Sequence, residues 1–406
     1  MIYGILSTIV FIVILPFWLL AGIFKPKLIY GLKEKMALYN SPHLNSPIIF
    51  YGVSVGEVLA MENTIRKAHE RFPQTPLIVM TGTKTGQETA KKKLSDCASF
   101  ITYFPLDFPL FINLMLKKLS PKAIFIMETE LWPNFANITH KRKIPVYIIN
   151  ARISDRTFNS YKKLQFIFKP ILNKYAAIFP QSNHDSEKFK SLGAQKVKVM
   201  GNLKFDIKTP APIEFTHTAP TIIAGSTHSG EDEIILSAYK SLKTEIPNLK
   251  LIIAPRHPER NNTVYKLIES TGFSASRRSE NGSPETSDIL LLDTLGELAR
   301  LYAHCDVAFI GGSFNKTGGH NPLEATIFSK PVISGNSTHN FKDIYEILTR
   351  NHAAKIVKTE QELTSALKNL LTDKSLYEKA TSACQKVFTE NSGALDFVIE
   401  VLQTVV

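Results

Sequence analysis

The chain is poor in cysteine and short of acidic residues. Its 406 residues include three cysteines, and 48 Lys and Arg against 36 Asp and Glu give a net charge of +12. Cys97, Cys305 and Cys384 lie far apart and form no CxxC pair, which argues against a disulfide scaffold or a zinc ribbon and favours a reducing compartment. The excess of positive charge predicts an anionic partner, and composition leaves open nucleic acid, an anionic membrane or an anionic substrate.

The rest of the composition is ordinary for a globular protein. Apolar residues make up 44% of the chain and charged residues 21%, which excludes a disordered chain, a collagen-like repeat and a polytopic membrane protein. No sequence repeat recurs at a fixed period. The length predicts two or three domains, because single hydrophobic cores rarely grow beyond roughly 250–300 residues.

Charged side chains are absent from residues 2–24. A signal peptide would need a basic start and a small-residue cleavage site, and neither is present. A helix rising about 1.5 Å per residue would just cross a hydrocarbon core, and the lysines that follow, from Lys25 to Lys35, predict that the rest of the chain lies in the cytoplasm. We therefore expect a membrane anchor over residues 1–25. Pro16 leaves an interfacial position open, and a buried core helix is the remaining alternative.

Two series of short apolar runs alternate with helical patterns. This predicts α/β domains with doubly wound parallel sheets, in which helices cover both faces. Helical patterns at 57–71 and 86–94 lie within the first series. The predicted strands are 47–52, 76–81, 122–127, 145–150, 176–181 and 197–201 in the first series, and 221–225, 250–254, 288–292, 306–311, 331–334 and 354–357 in the second.

These patterns divide the chain into segments. The anchor is followed by a Rossmann-like domain over 26–205, a proline-containing linker over 206–220 and a second Rossmann-like domain over 221–375. Helical patterns close the chain over 376–406, and their packing back on the first domain is one possibility. Two such domains predict a cleft, with ligands at the carboxyl ends of the strands.

Carboxylates follow two predicted strands of the first domain. Glu57, in YGVSVGE, lies in the first turn of a helix, where it would act as a general base or simply cap the helix. Glu128 and Glu130, in METELWPN, would point the same way in an extended segment and couple, or they would cap the next helix or pair with lysines. Arg152 and Lys204 follow later strands and place cationic groups at the same ends.

Small, cationic and glycine-rich segments follow the strands of the second domain. AGSTHSGEDE and APRHPER offer anion-binding groups, although each also fits an ordinary capped turn. DTLGEL offers backbone groups for a nucleobase or a helix cap, and GGSFNKTGGHNPLEA combines a glycine loop with a helix start and an acid suited to ribose hydroxyls. The candidate ligand-binding residues are Ser226, Pro255, Arg256, His257, Leu295, Gly296, Glu297, Gly311, Gly312, Gly318, Gly319, Asn321, Pro322, Leu323 and Glu324.

Together the segments VSVGE, METELWPN, NARIS, GNLKFD, APRHPER, DTLGEL and GGSFNKTGGHNPLEA resemble, in this order, the motifs of the 3-deoxy-D-manno-octulosonic acid (Kdo) transferases. This is glycosyltransferase family 30, an inverting family of lipopolysaccharide synthesis with the GT-B fold, and the resemblance covers nearly the whole chain. The chain departs from it at Tyr51-Gly52-Val53, where the family has His-Gly-Ala, and at Gly335-Asn336, where it has Gly-Pro. The first departure bears on how the acceptor fits.

The resemblance implies two Rossmann-like domains facing a cleft, with an acceptor domain first and a CMP-sugar donor domain second. It implies transfer of Kdo from CMP-Kdo to a lipid A precursor (lipid IVA) at the cytoplasmic face of the inner membrane. The expected partners are CMP-Kdo, the lipid acceptor and anionic membrane lipids, with no nucleic acid, cofactor or metal.

The resemblance also implies roles for individual residues. Glu57 would deprotonate the acceptor hydroxyl. Lys204 and Glu128, with Glu130 as the alternative acid, would stabilise the transition state. The residues that would hold CMP are Pro255, Arg256, Leu295 to Glu297 and Asn321 to Glu324.

Two other functions remain open from the sequence. One is a GT-B glycosyltransferase that uses a UDP-sugar and a lipid acceptor. The other is a membrane-tethered nucleotide-binding protein without catalysis, which the paired acids at strand ends disfavour because simple binding does not require them. A nucleic-acid-binding role lacks both an aromatic-basic motif and a helix-turn-helix pattern.

Overall fold

A computed structural model of the protein describes residues 29–213 and 219–406, with residues 8, 13, 14, 16, 17, 20 and 24 before them. The chain forms two compact units, one of Met1–Ile207 with Asn391–Val406 and one of Lys208–Glu390. The anchor expected over residues 1–25 falls almost entirely outside the described residues. Within the described parts of the chain, no helix combines the length and the apolar character needed to cross a membrane.

The first unit is built on a six-stranded parallel sheet with the order β3-β2-β1-β4-β5-β6, which is the strand order of a Rossmann fold. Its strands are β1 Ile48–Gly52, β2 Leu77–Thr81, β3 Phe100–Tyr103, β4 Ala123–Met127, β5 Val146–Ala151 and β6 Ala177–Pro180. Every residue of β1, β2 and β4 is buried, as expected when helices cover both faces of a parallel sheet.

Helices cover the two faces of this sheet, and two hydrophobic clusters result. Ile49 and Tyr51 belong to one cluster while Ile48 and Phe50 belong to the other, because successive strand residues point to opposite faces. The helices are α1 Leu32–Lys35, α2 Val55–Arg71, α3 Lys84–Leu94, α4 Pro109–Leu119, α5 Pro133–Lys141, α6 Asp155–Lys163, α7 Gln165–Leu172 and α8 Asn183–Ser191.

The second unit has a seven-stranded parallel sheet with the order β13-β12-β11-β7-β8-β10-β9. Its strands are β7 Thr221–Thr227, β8 Lys250–Pro255, β9 Ala275–Arg277, β10 Ile289–Leu291, β11 Val307–Ile310, β12 Val332–Ser334 and β13 Ala354–Ile356. Its helices are α9 Glu231–Lys243, α10 Asn261–Glu269, α11 Leu298–Leu301, α12 Leu323–Thr326, α13 Lys342–Arg350, α14 Glu360–Thr372 and α15 Lys374–Asn391. The loops that follow β7, β8, β10 and β11 carry the candidate ligand-binding residues.

The chain returns to the first unit at residue 391, so the helices predicted over 376–406 are divided between the units. The last helix, α16 Ala394–Gln403, packs against α2. The carboxylate of Asp206 accepts hydrogen bonds from the backbone N–H groups of Gly393 (2.7 Å) and Leu395 (2.6 Å). A residue just before the chain leaves the first unit therefore caps the helix that forms after the chain returns to it.

The predicted strands agree with the structure to within two residues, except at 197–201. That segment forms only an isolated bridge between Val197 and Ile178. Two strands, β3 and β9, were not predicted from the sequence. Both are edge strands with partly exposed residues. The β9 segment has no apolar run, whereas β3 has the aromatic and β-branched residues typical of a strand.

Candidate active site

Glu57 lies in the first turn of α2, directly beyond the carboxyl end of β1. Its carboxylate accepts hydrogen bonds from the backbone N–H of Val53 (2.7 Å) and the hydroxyl of Ser54 (2.9 Å), while Ser54 is the N-cap of the helix. This is a capping-box arrangement, so the capping role that the sequence left open is present. Burial nevertheless raises the pKa of Glu57, the charge of Glu128 adds to that rise, and the two hydrogen bonds oppose it.

Glu128 and Glu130 follow β4 in different environments. Glu128 has a φ of 55°, so the segment is not extended here and the expectation that both side chains point the same way does not hold. Arg152 donates from Nε to the Glu128 carboxylate at 3.1 Å, which makes the partner an arginine from the end of β5 rather than a lysine. Burial, followed by the charge of Glu57, raises the pKa of Glu130 to about 7.

The three carboxylates form one cluster, called here the acidic cluster (Glu57, Glu128 and Glu130). The charges of Glu57 and Glu128 raise the pKa of Glu130, and the charge of Glu128 raises that of Glu57, which requires that the three groups lie close together. Tyr51 and Trp132 border the cluster. Tyr51 stacks on Phe104 with ring centroids 3.9 Å apart, and the indole N–H of Trp132 approaches Tyr51 and Glu130 without a hydrogen bond of ordinary geometry to either.

A network of buried amides holds the backbone that carries Lys204. Lys204 lies in a single 3-10 turn, Leu203–Phe205, that Asn202 caps by accepting the Lys204 N–H at 3.0 Å. Asn150 accepts the N–H of Leu203 at 3.0 Å, and Gln181 links the Asn150 carbonyl to the Asn202 amide. The position of Lys204 is therefore fixed by Asn150 near the end of β5 and by Gln181 directly after β6. The sequence motifs GNLKFD and NARIS indicated these contacts only in part.

In the second unit, Ser226, Pro255, Arg256 and His257 lie at the carboxyl ends of β7 and β8. Ser226 has a left-handed backbone with a φ of 57°. Arg256 donates its backbone N–H to the carbonyl of Thr227 at 3.0 Å, and its side chain is exposed. The guanidinium of Arg256 is thus presented at the edge of the sheet, where it can bind an anionic group.

Glu231 holds the glycine loop, defined here as residues 311–320. Its carboxylate is 1% exposed and accepts the backbone N–H groups of Gly312 (2.7 Å), Ser313 (2.8 Å) and Phe314 (2.9 Å). It also accepts the N–H of His228 at 2.9 Å. The sequence reasoning missed Glu231, because an acid at a helix start reads as a cap. It had expected an anion at this helix start, but the first turn of α9 holds three acids of its own.

The glycine loop approaches the end of β7 closely. A Cβ on Gly311 would overlap the backbone carbonyl of Ser226, so only glycine fits there. Beyond the loop, the Nε2 atoms of His320 and His228 lie 2.9 Å apart in stacked rings. Burial lowers the pKa of His228 and lowers that of His320 to about 4, so both rings are neutral near pH 7 and one donates to the other.

Asn321, Pro322, Leu323 and Glu324 form the start of the short helix α12. The side chain of Asn321 accepts the N–H of Leu323 at 3.1 Å. Burial raises the pKa of Glu324, against the hydrogen bond from Asn321 and the charge of Arg256. The positive charge of Arg256 therefore reaches both Glu324 and His320, which places the predicted phosphate-binding and ribose-binding residues in one site.

Leu295, Gly296 and Glu297 lie between β10 and α11. Leu295 is 83% exposed and Gly296 has a φ of 84°. The carboxylate of Glu297 is engaged by the guanidinium of Arg278 at 3.1 Å, which holds the pKa of Glu297 below its usual range. Because the carboxylate of Glu297 is engaged in this ion pair, the backbone groups of the turn are the ones that can form hydrogen bonds to a ligand. Among the described residues, no three His, Cys, Asp or Glu side chains are grouped so that they could hold a metal ion.

The structure has two parallel-sheet α/β units of the kind found in GT-B glycosyltransferases. It resembles the crystal structure of Acinetobacter baumannii MurG with a TM-score of 0.57 and 14% identity, over 88% of this chain and 99% of the other. It also resembles a UDP-GlcNAc 2-epimerase from Neisseria meningitidis, with a TM-score of 0.55 and 13% identity, over 88% and 100% of the two chains. The second of these proteins is an epimerase, so the fold alone does not decide the reaction.

Sequence comparison decides the family. The family model described as 3-deoxy-D-manno-octulosonic-acid transferase matches residues 30–207. The 3-deoxy-D-manno-octulosonic acid transferase of Haemophilus influenzae is 36% identical over 96% of this chain and 95% of its own. The chain belongs to the 3-deoxy-D-manno-octulosonic acid transferase family and is a glycosyltransferase.

Proposed function

We propose that the protein transfers Kdo from CMP-Kdo to a lipid A precursor at the cytoplasmic face of the inner membrane. The acidic cluster is the observation that carries the catalytic part of this proposal. Glu57 takes the proton of the acceptor hydroxyl, the oxygen attacks the anomeric carbon of Kdo, and the bond from that carbon to the CMP phosphate breaks with inversion. A base of raised pKa accepts this proton more readily than an ordinary carboxylate does.

The other acids and Lys204 support the same step. The carboxylate of Glu128, which Arg152 holds in place, stabilises positive charge that develops on the sugar as the phosphate departs. Glu130, with a pKa of about 7, is protonated in a large fraction of molecules and so limits the repulsion within the cluster. Lys204 offers a positive charge to the departing phosphate.

The second unit supplies the groups that hold CMP. Arg256 binds the phosphate, with backbone N–H groups of the glycine loop beside it. Glu324 accepts hydrogen bonds from the ribose hydroxyls, and the turn at Leu295–Glu297 reads the cytosine through its backbone. We propose that these groups stabilise the leaving phosphate without a metal, so that a chelator leaves the rate of transfer unchanged.

A basic, apolar surface on the first unit supports a membrane-bound position. Leu164, Phe166 and Ile167, at the junction of α6 and α7, are 44%, 77% and 40% exposed. Lys162, Lys163 and Lys169 flank them and are exposed as well. Apolar side chains ringed by lysines suit the interface of an anionic bilayer. Phe17 and Phe24, within the uncharged segment over residues 2–24, are 71% and 81% exposed, in keeping with an anchor.

Replacing Glu57 by Gln tests the catalytic proposal. The amide keeps the size of the side chain and one acceptor oxygen, so the helix cap is largely retained while the base is removed. We expect the rate of Kdo transfer from CMP-Kdo to lipid IVA to fall about 100-fold or more, with the affinity for CMP unchanged. Glu70→Gln is the matched control, because Glu70 is an exposed acid of the same helix.

Two results would contradict the proposal. Wild-type rates in Glu57→Gln would remove Glu57 as the base. Thermal stabilisation of the wild-type protein by UDP but not by CMP would exclude CMP-Kdo as the donor and favour a UDP-sugar.

A further inference from the structure

A polar pocket lies beside the glycine loop in the second unit. It has a volume of about 810 Å³ and is lined by residues 314–316 of the loop and 336–339 with Lys342. The two lining segments follow β11 and β12, which are neighbouring parallel strands. The pocket therefore opens at the carboxyl ends of the strands, on the β12 side of the residues expected to hold CMP.

Side-chain hydrogen bonds fix the walls of this pocket to each other. Asn340 donates from its side chain to the carbonyl of Thr317 (2.8 Å) and from its backbone to the carbonyl of Gly318 (2.9 Å). On the other side, the hydroxyl of Ser313 accepts the N–H of Gly335 (2.8 Å). The segments after β11 and β12 are thus joined at two points, which makes the pocket a built feature rather than a gap between loose loops.

The pocket carries positive charge that no acid of the described chain neutralises closely. Neither Lys316 nor His339 has a described carboxylate within ion-pair distance, and Lys342 has only Glu346 at 3.8 Å, with both side chains largely exposed. Hydroxyl and amide groups of Asn315, Ser337 and Thr338 complete the lining. Cationic groups among hydroxyls and amides suit a small polyhydroxylated acid.

The glycine loop joins this pocket to the phosphate-binding residues. Gly319 donates its N–H to the carbonyl of Gly312 at 2.7 Å, so the two ends of the loop lie side by side. The ring of His339 covers Gly318, while the ring of His320 lies against Gly312. The charge of Arg256 acts on His320, and His320 and His339 lie against glycines of the same loop, so both cationic regions border the glycine loop.

We infer that this pocket binds the carboxylate of the donor sugar, with Lys316 and His339 as the contacting residues. The inference rests on the proposed function. The anomeric carbon of an octulosonic acid bears its carboxylate directly, and in the nucleotide-linked donor the same carbon bears the phosphate. Two anions on one carbon repel each other, so a site for this donor needs two neighbouring cationic groups. Arg256 serves the phosphate, and Lys316 with His339 serves the carboxylate.

The test compares the donor, its nucleotide and a donor analogue in the full-length protein. Lys316→Gln and His339→Gln should each raise the KM for CMP-Kdo about tenfold, while the inhibition constant of CMP, which lacks the sugar, stays the same. A donor whose carboxylate is converted to an amide should be a poor substrate for the wild type. The Lys316→Gln variant should bind this amide donor and the ordinary acid donor with equal affinity, because the cation that distinguishes them is gone. Lys374→Ala is the control, because Lys374 is an exposed lysine on α15 of the same unit.

The outcomes separate this inference from the proposed function. No transfer from CMP-Kdo by the wild type would overturn both. Transfer by the wild type with an unchanged donor KM in both variants would overturn the inference alone. Parallel losses for CMP and CMP-Kdo would mean that the substitutions distort the loop instead of removing a carboxylate contact. A raised KM for the lipid acceptor instead of the donor would assign the pocket to an acceptor phosphate.

Discussion

Replacing Glu231 by Gln should loosen the glycine loop and weaken the binding of CMP. The two carboxylate oxygens of Glu231 accept four backbone N–H groups, from His228, Gly312, Ser313 and Phe314. An amide of the same size has one oxygen and one NH2 group, so the NH2 group must face two of these four donors. The substitution therefore leaves two N–H groups of a buried site without an acceptor.

The magnitude follows from those two donors. Each buried donor left without a partner costs about 1–3 kcal/mol, so Glu231→Gln should destabilise the loop by about 2–6 kcal/mol. Hydrogen–deuterium exchange in the full-length protein measures this locally. The amides of Gly312 to Phe314 should exchange at least about tenfold faster, since tenfold corresponds to roughly 1.4 kcal/mol. Tryptophan fluorescence would not report on the loop, because the segment 208–390 that forms the second unit contains no tryptophan.

The control is Glu233→Gln, which changes an exposed acid in the same first turn of α9. It should leave the exchange of the loop and the affinity for CMP, measured by calorimetry, at wild-type values. Equal exchange rates and equal CMP affinities in the two variants would refute the reasoning that the buried carboxylate of Glu231 organises the loop.

Three further perturbations probe other parts of the structure. Glu57→Gln should lower the pKa of Glu130 from about 7, because burial and the charge of Glu57 raise it. As this pKa is raised above its ordinary 4.5, the first unit should lose stability as the pH rises between these values in the wild type, and less so in the variant. A carboxyl NMR titration with the same midpoint in both proteins would disprove the coupling. Gly311→Ala should weaken CMP binding about tenfold, since its Cβ would overlap the carbonyl of Ser226, and an unchanged calorimetric affinity would show that the loop can shift. Asp206→Ala should cost the cap of α16 about 1 kcal/mol, seen as faster amide exchange in that helix, and unaltered exchange would rule out this cap.

Sequence patterns predict strands and site residues that can be identified from neighbouring residues in the chain. They do not predict residues whose hydrogen-bond partners lie far away in the sequence. Buried parallel strands were predicted because their apolar runs are continuous, whereas the short edge strand β9 produces no such run. Glu57 was selected as a candidate because the signals for a cap and for a base both lie in one strand-to-helix turn, and the structure confirms the cap. Glu231 was missed because its partners lie 81 to 83 residues later in the chain, and no local pattern distinguishes a buried acid from a cap. The amide network beneath Lys204 is non-local in the same way.

Residues with a left-handed backbone lie at the carboxyl ends of three strands in the two units. Glu128, Asn150 and Ser226 follow or end β4, β5 and β7, and each has a left-handed backbone with a φ between 53° and 57°. Such a conformation costs a non-glycine residue about 1–3 kcal/mol, so it persists only where neighbouring contacts impose it. Here the N–H of Glu128 bonds to the carbonyl of Ile149, the amides hold Asn150, and Gly311 packs against Ser226. Asn150 and Ser226 coincide with shifts of the pairing register near the ends of β5 and β7, and Glu128 is the residue directly after β4. Each left-handed residue therefore marks the point where regular strand pairing ends.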